Sequence, residues 1–355
     1  MDASAQTVSD RLLGWYQSHA RSLPWRQMPG ASAGRSPVDA YLVWLSEVML
    51  QQTTVAAVIP YFERFTARWP TLEALAAAQD SEVMAAWAGL GYYARARNLL
   101  ACARAVAAHG GRFPATEAEL RELPGLGAYT AAAVAAIAFG QRAVVVDANV
   151  ERVIARLYAL STPLPGGKAE IRSRAEEITP GTRAGDFAQA MMDLGATICT
   201  SRNPRCLLCP LADLCRARKA GEPESFPVKR AKAPRPTRQG RAFWIERGGC
   251  VWLVQRQGKG MLGGMRALPD DGWSARADGS GPPPLTGGWR DMGGVDHVFT
   301  HFALRLNLAL YSGEDWDSLH AADGEWWNLG ELDRAGLPTL FAKVARLAIA
   351  ERGNG

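Results

Sequence analysis

The chain has 355 residues, more than one ordinary domain holds, so two domains are the natural expectation. At 48% hydrophobic and 21% charged, with no low-complexity tract, it is excluded from the disordered and fibrous classes, and each domain can bury a core. The net charge of +5 excludes a strongly acidic protein and leaves a polyanionic partner open.

From about residue 5 to residue 215 the pattern is helical, with apolar residues recurring at three- and four-residue spacing, as in Tyr41, Trp44, Leu45, Val48 and Met49. Pro60, Pro70, Pro114, Pro124 and Pro163 read as starts or breaks of these runs. No signal peptide opens the chain, and the longest apolar stretch, Ala131 to Phe139, is too short to span a bilayer. A cytoplasmic protein with no membrane partner is expected.

Next comes a proline-containing stretch with nine basic residues between Arg216 and Arg241 (Arg216, Arg218, Lys219, Lys229, Arg230, Lys232, Arg235, Arg238 and Arg241), opposed only by Glu222 and Glu224. It suits a polyanion and equally suits a solvated linker. Beyond it the grammar changes. Arg241 to Gln255 and Val298 to Tyr311 read as strands, a Gly/Pro-rich loop runs from Asp270 to Gly288, and Leu340 to Ile349 reads as a closing helix. The expected organisation is a mainly α region over 1–220, a linker over 221–238 and a smaller α+β domain over 239–355.

Four of the six cysteines crowd into one run, Cys199-x6-Cys206-x2-Cys209-x5-Cys215, and in a reducing compartment they favour a metal centre over disulfides. Tetrathiolate zinc sites usually arrive as two separated pairs, whereas one staggered run suits a 4Fe–4S cluster. Cys102 and Cys250 sit in apolar contexts and read as buried thiols.

Leu123-Pro124-Gly125-Leu126-Gly127 separates a polar helix, Thr116 to Glu122, from an alanine-rich one, Ala128 to Phe139. Gly125 and Gly127 permit a tight turn, and amides at the start of the second helix could take a phosphate. Alone, the segment is better explained by a plain helix–helix turn. Some twenty residues on, Asp147 ends an apolar run (Val144-Val145-Val146) just before another helix, where it could be an N-cap.

Hairpin, aspartate and four-cysteine loop, in that order and with that cysteine spacing, resemble the helix-hairpin-helix DNA glycosylases of the endonuclease III superfamily. Trp44-Leu45-Ser46-Glu47-Val48-Met49-Leu50-Gln51-Gln52-Thr53 and Leu90-Gly91-Tyr92-Tyr93-Ala94-Arg95-Ala96-Arg97-Asn98 resemble signatures of the adenine DNA glycosylases of the MutY type. That resemblance implies an enzyme that removes adenine mispaired with 8-oxoguanine or guanine in duplex DNA, acting as a monomer at the nucleoid. It makes the cysteines ligands of a 4Fe–4S cluster that helps bind DNA. It gives Glu47 the protonation of adenine and Asp147 the support of a cationic sugar. Gln52 is implied as a wedge, Tyr92 as the residue inserted beside the oxidised guanine, and Gln189 as an adenine contact. Trp25 and Arg26 line the pocket entrance, and Tyr129 and Asn149 buttress Asp147.

Elementary chemistry supports the pair of carboxylates. Breaking an N-glycosidic bond needs a protonated leaving group and a stabilised oxocarbenium-like sugar, tasks that two carboxyls in different surroundings can divide. Glu47 has Val43, Trp44 and Leu50 as helical neighbours, and an apolar surround would keep it protonated. Bifunctional relatives carry a Schiff-base lysine two residues after the hairpin's second glycine. Tyr129 stands there, and a phenol cannot form an imine.

The C-terminal part resembles a Nudix-related recognition domain. Met261 to Pro269 leads into a Gly/Ala/Asp loop without the glutamate-dense helix of a Nudix hydrolase, so binding without hydrolysis is expected. In the family a Phe-Ser-His loop senses oxidised guanine. Phe299-Thr300-His301 occupies that place, with a threonine that keeps the hydroxyl. Three rivals remain: a pyrimidine-specific glycosylase with a lyase step, a non-catalytic iron–sulfur DNA-binding protein, and a Nudix nucleotide hydrolase. They are opposed, respectively, by the absent lysine, by the presence of both carboxylates, and by the missing glutamate helix.

Overall fold

The structure, a computed structural model, describes residues 3–29, 38–230, 234–256, 261–316, 318–319 and 324–352; Lys232 of the basic stretch lies outside them. The chain divides into two units, one of residues 1–77 and 98–232, the other of residues 78–97 and 233–355. Residues 78–97 continue the helical grammar of the first region yet cluster with the second unit.

The helices, in chain order, are α1 (Ala3–His19), α2 (Ala40–Leu50), α3 (Val55–Arg68), α4 (Leu72–Ala76), α5 (Asp80–Trp87), α6 (Ala94–Ala108), α7 (Glu117–Leu120), α8 (Ala128–Phe139), α9 (Ala148–Tyr158), α10 (Lys168–Ile178), α11 (Ala184–Thr197), α12 (Arg216–Lys219) and α13 (Thr339–Arg352). Asp39 starts α2 by accepting the Tyr41 amide at 2.8 Å, and Thr54 starts α3 by accepting that of Ala57 at 3.3 Å. α2 is buried from Val43 to Met49, as a helix apolar on every side must be. It packs on α8, and α11 packs on α1, α8 and α9, so the site-bearing helices form the centre of the first unit. The alanines of α8 allow close approach. Gly195 on α11 does the same at α9, because a Cβ there would lie 2.6 Å from that of Asn149.

Two expected boundaries differ. Pro60 lies inside α3, where the buried Val58, Phe62 and Phe65 hold the helix together across the lost amide donor. The helix expected over Thr116 to Glu122 is the single turn α7, because Thr116 serves as its N-cap and Arg121 as its C-cap before the hairpin begins.

In the second unit the strands are β1 (Thr237–Trp244), β2 (Glu246–Arg247), β3 (Cys250–Gln255), β4 (Arg266–Ala267), β5 (Trp289–Val298), β6 (Ala303–Tyr311) and β7 (Glu325–Asn328). β6 is central to one sheet, parallel to β1 and antiparallel to β5, and β3 is central to the other, antiparallel to β2, β4 and β7. Period-two burial turns Leu304, Leu306 and Leu308 of β6 inward, onto a core shared with Trp244, Leu253, Trp273, Phe341 and Val344. α13 lies on β5 and β6. The fold is thus a mainly α helix-hairpin-helix region with an α+β Nudix-like domain.

Candidate active site

A cavity of about 840 Å³ opens among the helices of the first unit, within the size range of ligand pockets. It gathers eight of the residues singled out in the sequence: Trp25, Arg26, Glu47, Gln52, Tyr129, Asp147, Asn149 and Gln189. Glu47 is 5% exposed on the inner face of α2. Burial pushes its carboxyl up to about 7, opposed by the hydrogen bond from Tyr129, aided by the charge of Asp147 and opposed again by Arg26. The Tyr129 hydroxyl donates to Glu47 Oε2 at 2.6 Å, and burial with that carboxylate beside it holds the phenol well above its ordinary range.

Asp147 is the N-cap of α9, with Oδ1 accepting the Val150 amide and Oδ2 accepting Asn149 Nδ2, each at 2.7 Å. Both oxygens act as acceptors, and the start of a helix favours a carboxylate. Asn149 thus donates to Asp147. The Tyr129 hydroxyl donates to Glu47 instead, because the first turn of α8 faces α2.

Gln189 is buried on α11, and Trp25 meets Phe62 edge-on at 5.1 Å. Gln52 is exposed at the cavity rim with φ 58°, a left-handed conformation unusual for a residue with a side chain. Tyr92, in the second unit, is 50% exposed with φ 48°. Its hydroxyl lies 3.0 Å from Thr300 Oγ1 in the turn between β5 and β6. Phe299 points the other way, stacked on Phe302 at 4.7 Å, while His301 is exposed.

Gly125 and Gly127 sit at the exposed hairpin between α7 and α8. Gly125 has φ +78°, and a Cβ there would meet the Asn98 side chain at 2.6 Å, so glycine is required. Gly127 is the N-cap of α8 and gives its opening amides no side-chain acceptor.

The four clustered cysteines are half-buried and form no disulfide. Burial, opposed by a backbone hydrogen bond from Leu211 and aided by the other three cysteines, raises the Cys209 thiol to about 12. No three His, Cys, Asp or Glu side chains among the described residues converge on a single-ion position. Four sulfurs in one staggered run suit a cluster, in which each sulfur meets a different iron, better than one zinc ion. Arg156 fits the same reading: 2% exposed, its charged guanidinium donates to Cys199 Sγ at 3.3 Å. Cys199, Cys206, Cys209 and Cys215 would hold the group.

Three participants were missed in the sequence. Arg152 donates to Asn149 Oδ1 at 2.9 Å and to the Cys199 carbonyl at 2.7 Å, joining the support of Asp147 to the cysteine loop. Arg156 and Asp193 are the others, both fully buried ions. The only signal for Asp193 was a carboxylate inside an otherwise apolar helical run, Ala190 to Leu194.

Residues 45–180 match the HhH-GPD superfamily of base excision DNA repair proteins, residues 199–215 the iron-sulfur binding domain of endonuclease III, and residues 241–347 the NUDIX domain. Endonuclease III in a non-covalent complex with DNA shares the fold at a TM-score of 0.50 and 25% identity, over 62% of this chain and 99% of that one. Fold and site together define a DNA glycosylase of base-excision repair that carries a 4Fe–4S cluster. The human adenine DNA glycosylase is 35% identical over 402 residues, spanning 95% of this chain and 73% of that protein. That of Buchnera aphidicola is 31% identical over 346 residues, 95% of this chain and 96% of its own. The chain belongs to the adenine DNA glycosylase family. No helix among the described residues is long and apolar enough to cross a membrane.

Proposed function

We propose that this glycosylase removes adenine mispaired with 8-oxoguanine, or with guanine, from duplex DNA as a monofunctional monomer. The observation that carries the reading is the convergence of Glu47 and Asp147 on one cavity, with Glu47 at about 7 and a phenol where a lyase keeps an amine.

The adenine nucleotide leaves the stack to enter the cavity. Protonated Glu47 gives its proton to a ring nitrogen of adenine. The C1′–N9 bond breaks with its electron pair going to the base, and positive charge develops on the sugar. Asp147, kept in place by Asn149 and the Val150 amide, stabilises that charge. Water then adds to C1′ and its proton passes to the Glu47 carboxylate, restoring the acid. General acid–base help of this kind contributes about 10²–10⁴-fold.

Gln189, Trp25 and Arg26 contact and enclose the base. Gln52 and Tyr92 act as wedges, a role supported by their exposed side chains and by left-handed backbones that cost conformational energy. Tyr92 with Phe299, Thr300 and His301 reads the oxidised guanine. Gly125, Gly127 and the start of α8 hold backbone phosphates, and the cluster, held by Cys199, Cys206, Cys209 and Cys215, orders a DNA-binding loop without entering the chemistry.

The test is excision from duplexes bearing adenine opposite 8-oxoguanine, guanine or thymine, each developed with and without alkali. Breaks that need alkali, confine themselves to the first two duplexes and vanish in Glu47→Gln support the reading. Breaks without alkali overturn its monofunctional part, and equal activity opposite thymine overturns its mispair specificity.

A further inference from the structure

A carboxylate with no exposure at all is costly unless fully paired. Asp193, on α11, is in that position, 0% exposed. It accepts the Arg21 amide at 3.0 Å and Arg21 Nε at 2.7 Å, and Arg26 Nη1 lies 2.8 Å from both of its oxygens. Arg26 is itself almost buried, its side chain 7% exposed, and it lines the same cavity as Glu47. Without a counter-ion, a buried guanidinium beside a cavity carboxyl would turn to that carboxyl.

We propose that Asp193 is a positioning residue for base excision: it holds Arg26 in the pocket wall, away from Glu47, so that Glu47 keeps the proton it must deliver. The inference rests on the adenine-excision reading of this site. The groups facing Glu47 are Tyr129 from α8, Asp147 at the start of α9 and Arg26 from the segment after α1. Those facing Asp193 are Arg21 and Arg26 from the segment after α1, and its charge also reaches Tyr16 of α1, as does that of Asp186 on its own helix. Arg26 is the only cation named in the first set, and its pull on Glu47 opposes the effect of burial. Asp193 is therefore the one carboxylate that both compensates and tethers that cation.

A merely structural Asp193 would fasten residues 20–27 to α11 and nothing more. Single-turnover excision of adenine, measured against pH with excess enzyme, separates the two roles. The rate should fall as pH rises through the Glu47 value. In Asp193→Asn the freed Arg26 moves that descending limb down by about one pH unit, the usual size for an opposite charge brought close, with about a tenfold slower rate on the alkaline side. Asp193→Asn combined with Arg26→Gln returns the limb to its wild-type position or above, although the double variant has lost more structure. A limb that stays put in Asp193→Asn while rate and melting temperature fall overturns the proposal, as does one that stays shifted in the double variant. If Asp193→Asn does not fold, Asp193→Glu carries the test: it pushes Arg26 toward the cavity and lowers the limb by a smaller step, and an unmoved limb again overturns the proposal. Wild-type protein inactive on adenine mispairs would sink the excision reading instead, an outcome distinct from both.

Discussion

The Tyr129 hydroxyl donates to Glu47 Oε2 across 2.6 Å, joining the first turn of α8 to the middle of α2 at the floor of the cavity. A donor to the charged form lowers a carboxyl's pKa, so this bond partly offsets the rise that burial imposes. Tyr129→Phe removes the donor and leaves burial opposed only by the charge of Arg26. The descending limb of the pH–rate profile for excision should then move to higher pH, by about half a unit to one unit. The maximal rate should fall because Glu47 has lost its anchor. A limb that moves down would show that the hydroxyl favours the protonated carboxyl, contrary to the geometry.

Glu47 also makes stability depend on pH. Its folded value of about 7 lies above the roughly 4.3 of an unfolded glutamate, so the folded chain holds a proton that the unfolded chain has released. The stability this contributes is full below the unfolded value and is lost as pH rises through about 7. Glu47→Gln is neutral throughout and escapes the loss while keeping an oxygen for Tyr129. It should match wild type near pH 5 and exceed it at pH 8 by on the order of 3 kcal/mol, read by urea unfolding at the two pH values. Equal stabilities at pH 8 would mean that the buried carboxylate is paired more fully than its surroundings imply.

Much of this is legible in the sequence. The cysteine spacing, the hairpin glycines, Glu47 inside an apolar helix and Asp147 ahead of one are local patterns, and each falls where local chemistry puts it. What stayed hidden are pairings across long stretches of chain: Tyr129 with Glu47, Arg26 with Asp193, and Tyr92 with Thr300. Nothing in a helical period says which opposing helix a polar side chain will meet. The resemblance pairs Tyr129 with Asp147, whereas the packing of α8 on α2 brings its hydroxyl to Glu47. Residues 78–97 joined the C-terminal unit for the same reason, since helical grammar carries no record of which core a helix serves.

Asn149 is the side chain that steadies Asp147 beyond the helix cap itself, and its own oxygen is held by Arg152 at 2.9 Å. Removing a hydrogen bond to a charged group costs about 1.5–3 kcal/mol, which corresponds to roughly 10–100-fold in rate where that charge stabilises the transition state. Asn149→Ala should lose that much in single-turnover excision while duplex affinity changes little. Arg152→Gln should follow in the same direction with a smaller loss, since it acts one bond further away. An unchanged rate in Asn149→Ala would remove the amide from the support of Asp147.

Thr300 presents a hydroxyl 3.0 Å from that of Tyr92, both on the surface of the second unit. If these two groups read the oxidised base, Thr300→Val should narrow the ratio of excision opposite 8-oxoguanine to that opposite guanine, by about the 5–10-fold that one neutral hydrogen bond is worth. Thr300→Ser keeps the hydroxyl and should leave the ratio intact. A ratio unaffected by Thr300→Val would place recognition on other groups of the loop.

Arg156 binds the cysteine loop more completely than any other cation named around it. Its guanidinium reaches the carbonyls of Cys199, Thr200, Ser201 and Phe226 at 3.3, 2.6, 3.1 and 3.1 Å, besides the sulfur of Cys199. Its own carbonyl lies 3.3 Å from Cys215 Sγ. Each buried carbonyl left unpaired costs about 1–3 kcal/mol, so a shorter side chain would loosen both ends of the cysteine run at once. Arg156→Gln should therefore be purified with less iron per chain, weaker visible absorbance and a melting temperature several degrees lower, whereas Arg174→Gln, an exposed change on α10, should differ from wild type in none of these. Full iron content with a lowered melting temperature would limit Arg156 to the fold of the loop, and full iron content with an unchanged one would show that neighbouring groups take over its carbonyls.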